Sequence, residues 1–396
     1  MAQRIFRKDD TAPWRFGYGT GAEGAEDISS DTLDSARSGY ANTPFTGSAG
    51  ANTGSMGSFS GFSDGDLVLI VQIQGSGAGQ PELNKIVSHS GTTPTFADNL
   101  IANYVSGAQI YRLAQHTTIK VDAAKTLTGV AWDGSKGGIT VLFANQSIEI
   151  DGIIDVSQKG FRGGGSLNTG TGQVQQQGES YDGVGGQSSS QNAGAGGGGQ
   201  NEQSAGYNNE TGGGGAGYGS DGVDSAYNSG GHSGTTRGQH GSAYGDAALT
   251  LLHLGSAGGA GSYFYNATGY GGDGGRGGGL LILIAPRIFG TGTIKYQGGD
   301  MPDRFSIHSG GAGSGGGFLT KGNVIDFSAM TINGLGGLGS LDSTDGIVGT
   351  AAGGDGRGHV DYGTKYTAPT SPATPLLDYR LDSILAPKGG AAAIQI

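Results

Sequence analysis

Apolar and polar positions along the chain predict short β-strands separated by turns. The run from Leu67 to Ile73 is almost entirely apolar and rich in β-branched residues, which is typical of a buried strand. Residues 83–87, 108–113 and 117–121 are predicted to be further short strands, separated by turns rich in Gly and Ser. No stretch shows sustained helical periodicity. The pattern therefore predicts an all-β protein with little or no α-helix.

From about residue 129 one unit recurs along the chain. Paired glycines lead into an apolar strand, a short second strand follows, and the chain then enters a glycine tract. The apolar strands of the three copies lie at 137–143, 278–284 and 316–319, and the third copy is the weakest. Repeats of this kind usually bury a shared core by stacking on one another.

Composition shows that side chains alone cannot fill such a core. The chain has 396 residues, of which 86 are Gly, and only 34% are hydrophobic and 14% charged. A chain of this kind is either partly disordered or packs backbone against backbone. It has no Cys, so disulfides and thiolate metal sites are excluded.

The glycine tracts nearest the predicted strands have a period of three residues. It occurs at 270–279, 310–317 and 334–341. A polyproline-II helix has three residues per turn, so two of its three edges are bare backbone where the third carries the side chains. The period favours packed polyglycine-II helices over flexible linkers or β-solenoid turns, and it places Leu335, Leu338 and Leu341 in a stripe that we expect to face the strands. The glycines predicted to be structural are Gly271, Gly272, Gly274, Gly275, Gly277, Gly278, Gly310, Gly313, Gly316, Gly334, Gly336 and Gly337.

These patterns divide the chain into four parts. We predict a polar N-terminal arm at 1–62, a small β domain at 63–128, a glycine-rich repeat domain at 129–340 and a C-terminal tail at 341–396.

Three segments carry a resemblance to known proteins: Gly65 to Leu69, Gly160 to Gly164 and, most specifically, Tyr244 to Gly259. They resemble a broad set of glycine-rich bacterial and phage surface proteins, over roughly residues 63–340. The glycine tracts also resemble the polyglycine-II domain of the distal tail-fibre adhesins of T-even-like phages. That resemblance implies that the loops joining the tracts contact the host receptor, and that other tail or fibre proteins are partners in an oligomeric assembly.

Tyrosines concentrate in the interval between the first two repeats. Eight of the 16 lie within 181–270, among Ser, Gly, Asn and Gln. Antibody loops use the same residue types, because Tyr supplies rigid contact area and small polar residues supply adaptable hydrogen bonds. Alternatively, the tyrosines simply cover glycine backbone. The predicted receptor contacts are Tyr207, Tyr227, Tyr263, Phe264 and Tyr265.

Candidate catalytic and metal-binding groups are weak. Glu149, Asp151 and Asp155 alternate on one predicted strand segment, and Asp300 and Asp303 share a loop, but neither set has the signature of a glycosidase cleft. Asp-Gly turns near 221–224 and 342–346 lack the full spacing of a calcium loop. The seven histidines are scattered. We therefore predict no catalytic residue, no metal and no cofactor, and a protein that is not an enzyme.

Charge and hydropathy limit the partners. A net charge of −11 gives no electrostatic reason to bind nucleic acid, and no run is long and apolar enough to insert into a membrane. The N-terminus lacks a secretory signal. We expect a virion protein that acts outside the cell after lysis, as a tail-fibre tip adhesin for a bacterial surface receptor, either protein or glycan. The alternatives are a secreted or cell-surface protein that assembles into filaments or a sheath, and a glycan-degrading tailspike.

Overall fold

The structure is a computed structural model that describes most of the chain. The described residues are 19–33, 40–167, 174–204, 207–225, 237–262, 272–301, 309–339, 351–370 and 376–380. At 201–204, 207–210 and 376–380 only the backbone is described. No helix occurs in these ranges, so they contain no helix that could cross a membrane. The prediction of an all-β fold with little or no α-helix is confirmed.

The strands are short and are distributed over three larger sheets and one hairpin. In chain order they are β1 (Glu26–Ile28), β2 (Thr32–Leu33), β3 (Asn42–Gly47), β4 (Gly54–Met56), β5 (Leu67–Gln72), β6 (Pro81–Ser90), β7 (Thr93–Phe96), β8 (Tyr104–Arg112), β9 (His116–Val121), β10 (Thr126–Thr128), β11 (Ile139–Ile150), β12 (Ile153–Asp155), β13 (Asn201–Ser204), β14 (Tyr207–Glu210), β15 (Leu280–Ile284), β16 (Arg287–Gly290), β17 (Thr293–Lys295), β18 (Gly317–Asp326), β19 (Thr331–Asn333), β20 (Arg357–Thr367) and β21 (Leu376–Arg380).

An antiparallel sheet of strand order β4-β3-β8-β5-β6-β7 forms the first part of the fold. It contains three of the predicted strands, now β5, β6 and β8. It also takes in β3 and β4, which lie in the segment assigned to a polar arm. The apolar signal there is weak because Phe45 is the one large apolar side chain of β3; it is buried in the sheet.

Two parallel sheets form a stack of coils behind the antiparallel sheet. Each coil adds a long strand to a sheet of order β1-β9-β11-β15-β18-β20-β21, with β16 beside β11 and β18, and a short strand to a sheet of order β19-β17-β12-β10-β2. The three predicted repeats supply successive coils, in which Ile139, Leu280 and Gly317 are register partners. The predicted strand at 117–121 is β9 and belongs to this stack. β20, in the segment assigned to a C-terminal tail, adds a further strand.

The strand period of two builds a layered core. On β11, Ile139, Val141 and Phe143 face the antiparallel sheet, while Leu142 and Ile148 face the shorter parallel sheet. The long parallel sheet is therefore covered on both faces along much of its length, as parallel sheets usually are.

Segments rich in glycine run from the coils and pack side by side; we call them together the glycine lattice. They hydrogen-bond through their backbones with a period of three. Residues 255, 258 and 261 donate to 278, 275 and 272, whereas 259 and 262 donate to 214 and 211. Each neighbour is thus met at every third residue, in antiparallel order in both cases. The segments are 160–167, 174–179, 185–190, 194–200, 211–219, 221–225, 237–244, 253–262, 272–279, 296–301, 309–317, 334–339 and 351–357.

The interior segments of the lattice are surrounded by other segments. Residues 309–320 are buried throughout, as are 252–262. The backbone of 309–317 donates to three neighbours and accepts from three more. It donates to 253–262, 296–301 and 351–357, and it accepts from 211–219, 272–279 and 334–339. Two bonds where the segment enters its strand are exceptions: Arg357 donates to Gly316, and Gly317 donates to Gly279.

Only glycine permits such close approach between backbones. A Cβ atom on Gly274 would lie 1.9 Å from the carbonyl oxygen of Gly258, and one on Gly313 would lie 1.9 Å from that of Arg276. Neither glycine has a positive φ, so its role here is to leave space and not to adopt an unusual backbone conformation. Of the predicted structural glycines, Gly271 lies outside the described residues and the others lie in the lattice; contacts under 2.5 Å would also arise at Gly275, Gly277, Gly278, Gly310, Gly316, Gly334, Gly336 and Gly337.

The leucine stripe does not face the strands as expected. Leu338 is 54% exposed and Leu335 is only partly buried, while Leu341 lies outside the described residues. The prediction is wrong for Leu338 because residues 334–339 form an outer segment of the lattice. Its glycines take the inward positions, where Gly337 meets the backbone of Gly299.

At the rim of the lattice a segment has no neighbouring segment on one side. Polar side chains there accept hydrogen bonds from its backbone. The N–H of Leu338 donates to Oδ1 of Asp300 at 2.8 Å, and that of Ser166 donates to Oδ1 of Asp273 at 2.8 Å. The N–H of Gly186 donates to Oε1 of Gln177 at 2.9 Å. Backbone donors that have no adjacent carbonyl are satisfied in this way, as partly buried donors need to be.

We expect glycine substitutions to separate interior from rim. Gly274→Ala or Gly274→Val should lower the free energy of unfolding by about 1–3 kcal/mol or more, because the added atoms displace neighbouring backbone. Gly186→Ala is the matched control, since the nearest heavy atom to its Cβ would be 3.9 Å away. Exposed Asp273→Ala should cost less, about 0.5–1.5 kcal/mol, because it removes one hydrogen bond, to the N–H of Ser166, and displaces no backbone. Thermal denaturation of the four variants measures this, and equal shifts would contradict it.

Candidate functional site

Six of the connections between successive lattice segments leave from one end of the lattice, which we call the tip. Transverse hydrogen bonds place the segment ends together: Ser262 N–H donates to Thr211, and Gly213 N–H donates to Ser309. Further bonds join Ala351 to Asp224 and Met301 to Leu338. The connections that begin and end at the tip are 168–173, 201–210, 226–236, 263–271, 302–308 and 340–350.

The predicted receptor contacts all fall in connections at the tip. Tyr207 begins β14 of the hairpin 201–210, where its backbone pairs with that of Ser204 and its side chain is not described. Tyr227 lies in 226–236, and the other predicted contacts, Tyr263, Phe264 and Tyr265, lie in 263–271; all four are outside the described residues. Their role therefore stays a prediction. The fold joins their three connections, which are separate in sequence, at one end.

Two further connections at the tip were missed by sequence reasoning. Residues 302–308 and 340–350 follow the second and third repeats, and both leave from the same end as the predicted loops. A signal was present, because each repeat ends in a glycine tract and a second tract leads back into the next strand. Such an outward and return pair must turn at the far end.

A small charged cluster joins the two residue stretches from which connection 226–236 leaves the lattice. Oδ1 of Asp224 accepts hydrogen bonds from the backbone N–H of His240 at 2.8 Å and lies 2.5 Å from its Nδ1. Oδ2 of Asp224 lies 2.6 Å from the Arg237 guanidinium. Burial opposes ionisation of Asp224, but the hydrogen bonds from His240 and the charge of Arg237 outweigh it and lower its pKa. The ion pair with Arg237 and the contacts with His240 hold the two sides of this connection together.

The opposite end of the lattice, which we call the base, is closed by an aromatic cluster. Tyr244 lies between Tyr181 and Tyr218, with ring centroids 4.7 and 4.8 Å away, and His253 packs edge-on against it at 5.3 Å. The Arg357 guanidinium lies over the Tyr218 ring at 5.6 Å. Tyr244 and His253 belong to the segment that carries the most specific sequence resemblance.

The aromatic cluster joins the three parts of the fold. The N–H of Leu252 donates to the carbonyl of Gly79 in the antiparallel sheet, and the N–H of Gly75 donates to that of Tyr181. Arg357 begins β20 of the parallel stack and donates to the carbonyl of Tyr244 at 3.0 Å. The base is therefore a packed junction, whereas the tip is where the connections emerge.

His253 is held neutral in this junction. It is 5% exposed, and its Nδ1 atom has no hydrogen-bond partner. Burial lowers its pKa from 6.5 to about 4; the Asp246 carboxylate raises it slightly and the Arg357 guanidinium lowers it further.

The candidate carboxylates take part in local structure. Glu149 lies 3.5 Å from Lys120, Asp151 accepts a hydrogen bond from Thr291, and Asp155 caps Ser157. Asp300 caps Leu338 at the tip, and Asp303 lies outside the described residues.

The metal candidates are likewise dispersed among the residues that the structure describes. Asp221 accepts a hydrogen bond from the N–H of Ala243, and Asp224 is paired as above. No group of three His, Asp or Glu side chains in the described ranges could hold a metal ion. Residues 342–346 and His232 lie outside those ranges.

Comparison with known proteins yields structural neighbours alone. No family model and no curated protein matches the chain. Its fold is similar to the gp54 tailspike of Acinetobacter baumannii bacteriophage AP22, solved in complex with A. baumannii capsular saccharide, at 10% identity and a TM-score of 0.20 over 90% of this chain and 61% of that one. It is also similar to tailspike gp49 of Pseudomonas phage LKA1 (11%, TM-score 0.18, 86% and 64%) and tailspike gp61 of Pseudomonas phage phi297 (10%, 0.18, 90% and 55%).

This likeness concerns the β-rich fold class and transfers no residue to the present chain. The chain spans less than two thirds of the length of each of these tailspikes. All three neighbours are nevertheless tailspikes, and a tailspike is one of the alternatives kept above. The prediction that the protein is not an enzyme is contradicted on this ground and is not carried further.

We expect the junction at the base to weaken in acid. The unfolded chain binds a proton at His253 below pH 6.5, but the folded chain does so only near pH 4. The contribution of neutral His253 to the free energy of unfolding is therefore fully present above pH 6.5. It decreases by about 3 kcal/mol in total as the pH drops to 4. Melting temperatures of wild type and His253→Leu at pH 7 and pH 4.5 measure this.

The His253→Leu variant should lose less stability than wild type between the two pH values. His89→Asn is the control, because His89 is exposed and pairs with Asp64 on the antiparallel domain. It should retain the wild-type decrease. If wild type and His253→Leu fall equally, His253 is not the group responsible.

Proposed function

We propose that this chain is a virion-associated receptor-binding protein that presents the tip connections to the surface of a bacterium. The observation that carries the proposal is the convergence of these connections at one end of a backbone-bonded lattice. Binding residues often lie on long loops held by a rigid scaffold. The opposite end, the base, is closed by the aromatic cluster around Tyr244.

The segments of the lattice are proposed to be polyglycine-II helices. In such a helix every third residue points in the same direction. This is supported by the strict three-residue spacing with which 253–262 donates to its neighbours, and by the negative φ of the glycines at the close approaches. A helix of this type exposes bare backbone on several sides, so it can bond to a full ring of neighbours.

The composition of the tip favours a surface saccharide as the receptor. The sequence of 226–236 is Ala-Tyr-Asn-Ser-Gly-Gly-His-Ser-Gly-Thr-Thr, and 263–271 begins Tyr-Phe-Tyr-Asn. Aromatic rings offer flat apolar area, while amides and hydroxyls form hydrogen bonds with little charge. This combination suits a ligand with apolar C–H faces and a hydroxyl rim. On this proposal the partners are a bacterial surface glycan and other tail proteins of an oligomeric virion assembly, acting outside the cell after lysis.

Alanine variants at the tip test the proposal. Tyr207→Ala, Tyr227→Ala, Tyr263→Ala and Tyr265→Ala should include at least one that weakens binding of the purified chain to host cells by more than tenfold, since truncating a buried anchor costs about 2 kcal/mol or more. Val184→Ala is the control, because Val184 is 70% exposed beside Tyr181 at the base. Unchanged thermal stability must accompany the loss.

Two results of the same experiment would overturn the assignment. Wild-type affinity in all four tip variants would remove the site from these loops. Formation of filaments by the purified chain, without binding to cells, would support the self-assembling alternative. Release of reducing ends from bound host polysaccharide, measured in the same samples, establishes whether binding is followed by cleavage.

A further inference from the structure

A row of four charged side chains and one aromatic ring crosses the long parallel sheet on the face that the antiparallel sheet covers elsewhere. Register places one member on each of five adjacent strands. At a strand spacing of about 4.8 Å the row is roughly 19 Å long. The residues that precede the row on two of these strands, Ile148 and Ile288, point into the core on the opposite face of the sheet. The row, which we call the strip, consists of Asp27 on β1, Lys120 on β9, Glu149 on β11, Phe289 on β16 and Asp326 on β18.

The strip is partly exposed, and its charges alternate from Asp27 to Glu149. Asp27 is exposed, and the side chains of Lys120 and Glu149 are 44% and 34% exposed. Lys120 Nζ lies 3.5 Å from Glu149 Oε1, and the charge of Glu149 is the main cause that raises the pKa of Lys120. Acceptor and donor side chains therefore follow one another from Asp27 to Glu149, and a further acceptor, Asp326, lies beyond Phe289.

Phe289 is the exception in this row because it is aromatic and only partly buried. On its strand the neighbouring Ile288 is fully buried, as an apolar residue of the stack should be. The Arg287 guanidinium lies 5.1 Å from the Phe289 centroid, a distance typical of a cation–π contact. Arg287 is itself exposed, so a long and flexible side chain is what covers the ring.

We propose that the strip is a second saccharide-binding surface, on which a polysaccharide chain runs across the parallel strands. A sugar ring would stack its C–H face on Phe289, and Arg287 would turn aside to bond a hydroxyl. Glu149 and Asp326 lie one strand away on either side of Phe289 and would accept hydroxyl protons in hydrogen bonds. The inference rests on the proposed function only in taking a surface glycan as the receptor.

The strip differs from the tip because its binding groups lie on strands and not on loops. It lies on a rigid sheet, so its binding groups are held in fixed spacing before the ligand arrives, which reduces the entropic cost of binding. A chain-like ligand that contacted both the tip and the strip would gain affinity from two linked contacts.

The test uses the full chain on an array of purified bacterial capsular polysaccharides and lipopolysaccharides. With the glycans that wild type binds, Phe289→Ala should lower affinity about tenfold, and Glu149→Gln with Asp326→Asn should lower it severalfold. Phe59→Ala is the matched control: Phe59 is also a partly buried surface aromatic, stacked on His89 at 3.8 Å in the antiparallel domain. Melting temperatures confirm that each variant folds.

The outcomes separate this inference from the proposed function. Unchanged affinity in Phe289→Ala overturns the strip but leaves the tip untouched. A loss in Phe289→Ala with no loss in the tip variants supports the strip and refutes the tip. Equal losses in Phe289→Ala and Phe59→Ala indicate a general effect of removing surface aromatics and overturn the strip. If wild type binds no glycan on the array, the strip has no ligand of the proposed class and is rejected.

Discussion

The structure depends on hydrogen bonds between glycine backbones that approach more closely than any side chain would permit. Ordering glycine costs more conformational entropy than ordering any other residue. An isolated tract would therefore stay unfolded. In the lattice each interior tract bonds to a ring of neighbours, as 309–317 does, so the cost is met only when many tracts form together. The lattice should accordingly behave as one cooperative unit.

Conventional cores set the starting geometry for this unit. The apolar strands of the three repeats stack in register and bury two layers of side chains. Each strand is followed or preceded directly by a glycine segment, so the spacing of the coils positions the segments beside one another. The aromatic cluster around Tyr244 then joins the lattice to the antiparallel sheet. The sheets thus align the glycine segments where these leave the strands. The hydrogen bonds of the lattice keep the segments aligned farther out, beyond the hydrophobic core.

Sequence reasoning predicted the elements that have a clear period and missed those that do not. The all-β class and the recurrent strands follow from apolar, β-branched runs and their repetition, and the glycine segments follow from a period of three. The direction of the Leu338 side chain was predicted wrongly, because the sequence does not show which segments are interior and which form the rim. β3 was missed because one Phe gives too little apolar signal. The strip could not be found before the strands were aligned, since Lys120, Glu149, Phe289 and Asp326 are far apart in sequence. The receptor contacts remain a prediction, supported by the shared position of their connections.

The antiparallel arrangement of the segments also has a mechanical consequence. Bonds between 253–262 and 272–279 lie across the segment axes and recur every third residue. A force that pulls the tip away from the base acts along those axes. It therefore loads many transverse bonds in shear at once, where a peeling force would break them one after another. The rate of forced unfolding is set by the barrier to that step and not by equilibrium stability. A molecule with this geometry can hold a moving particle against a surface for longer than its modest side-chain core would suggest.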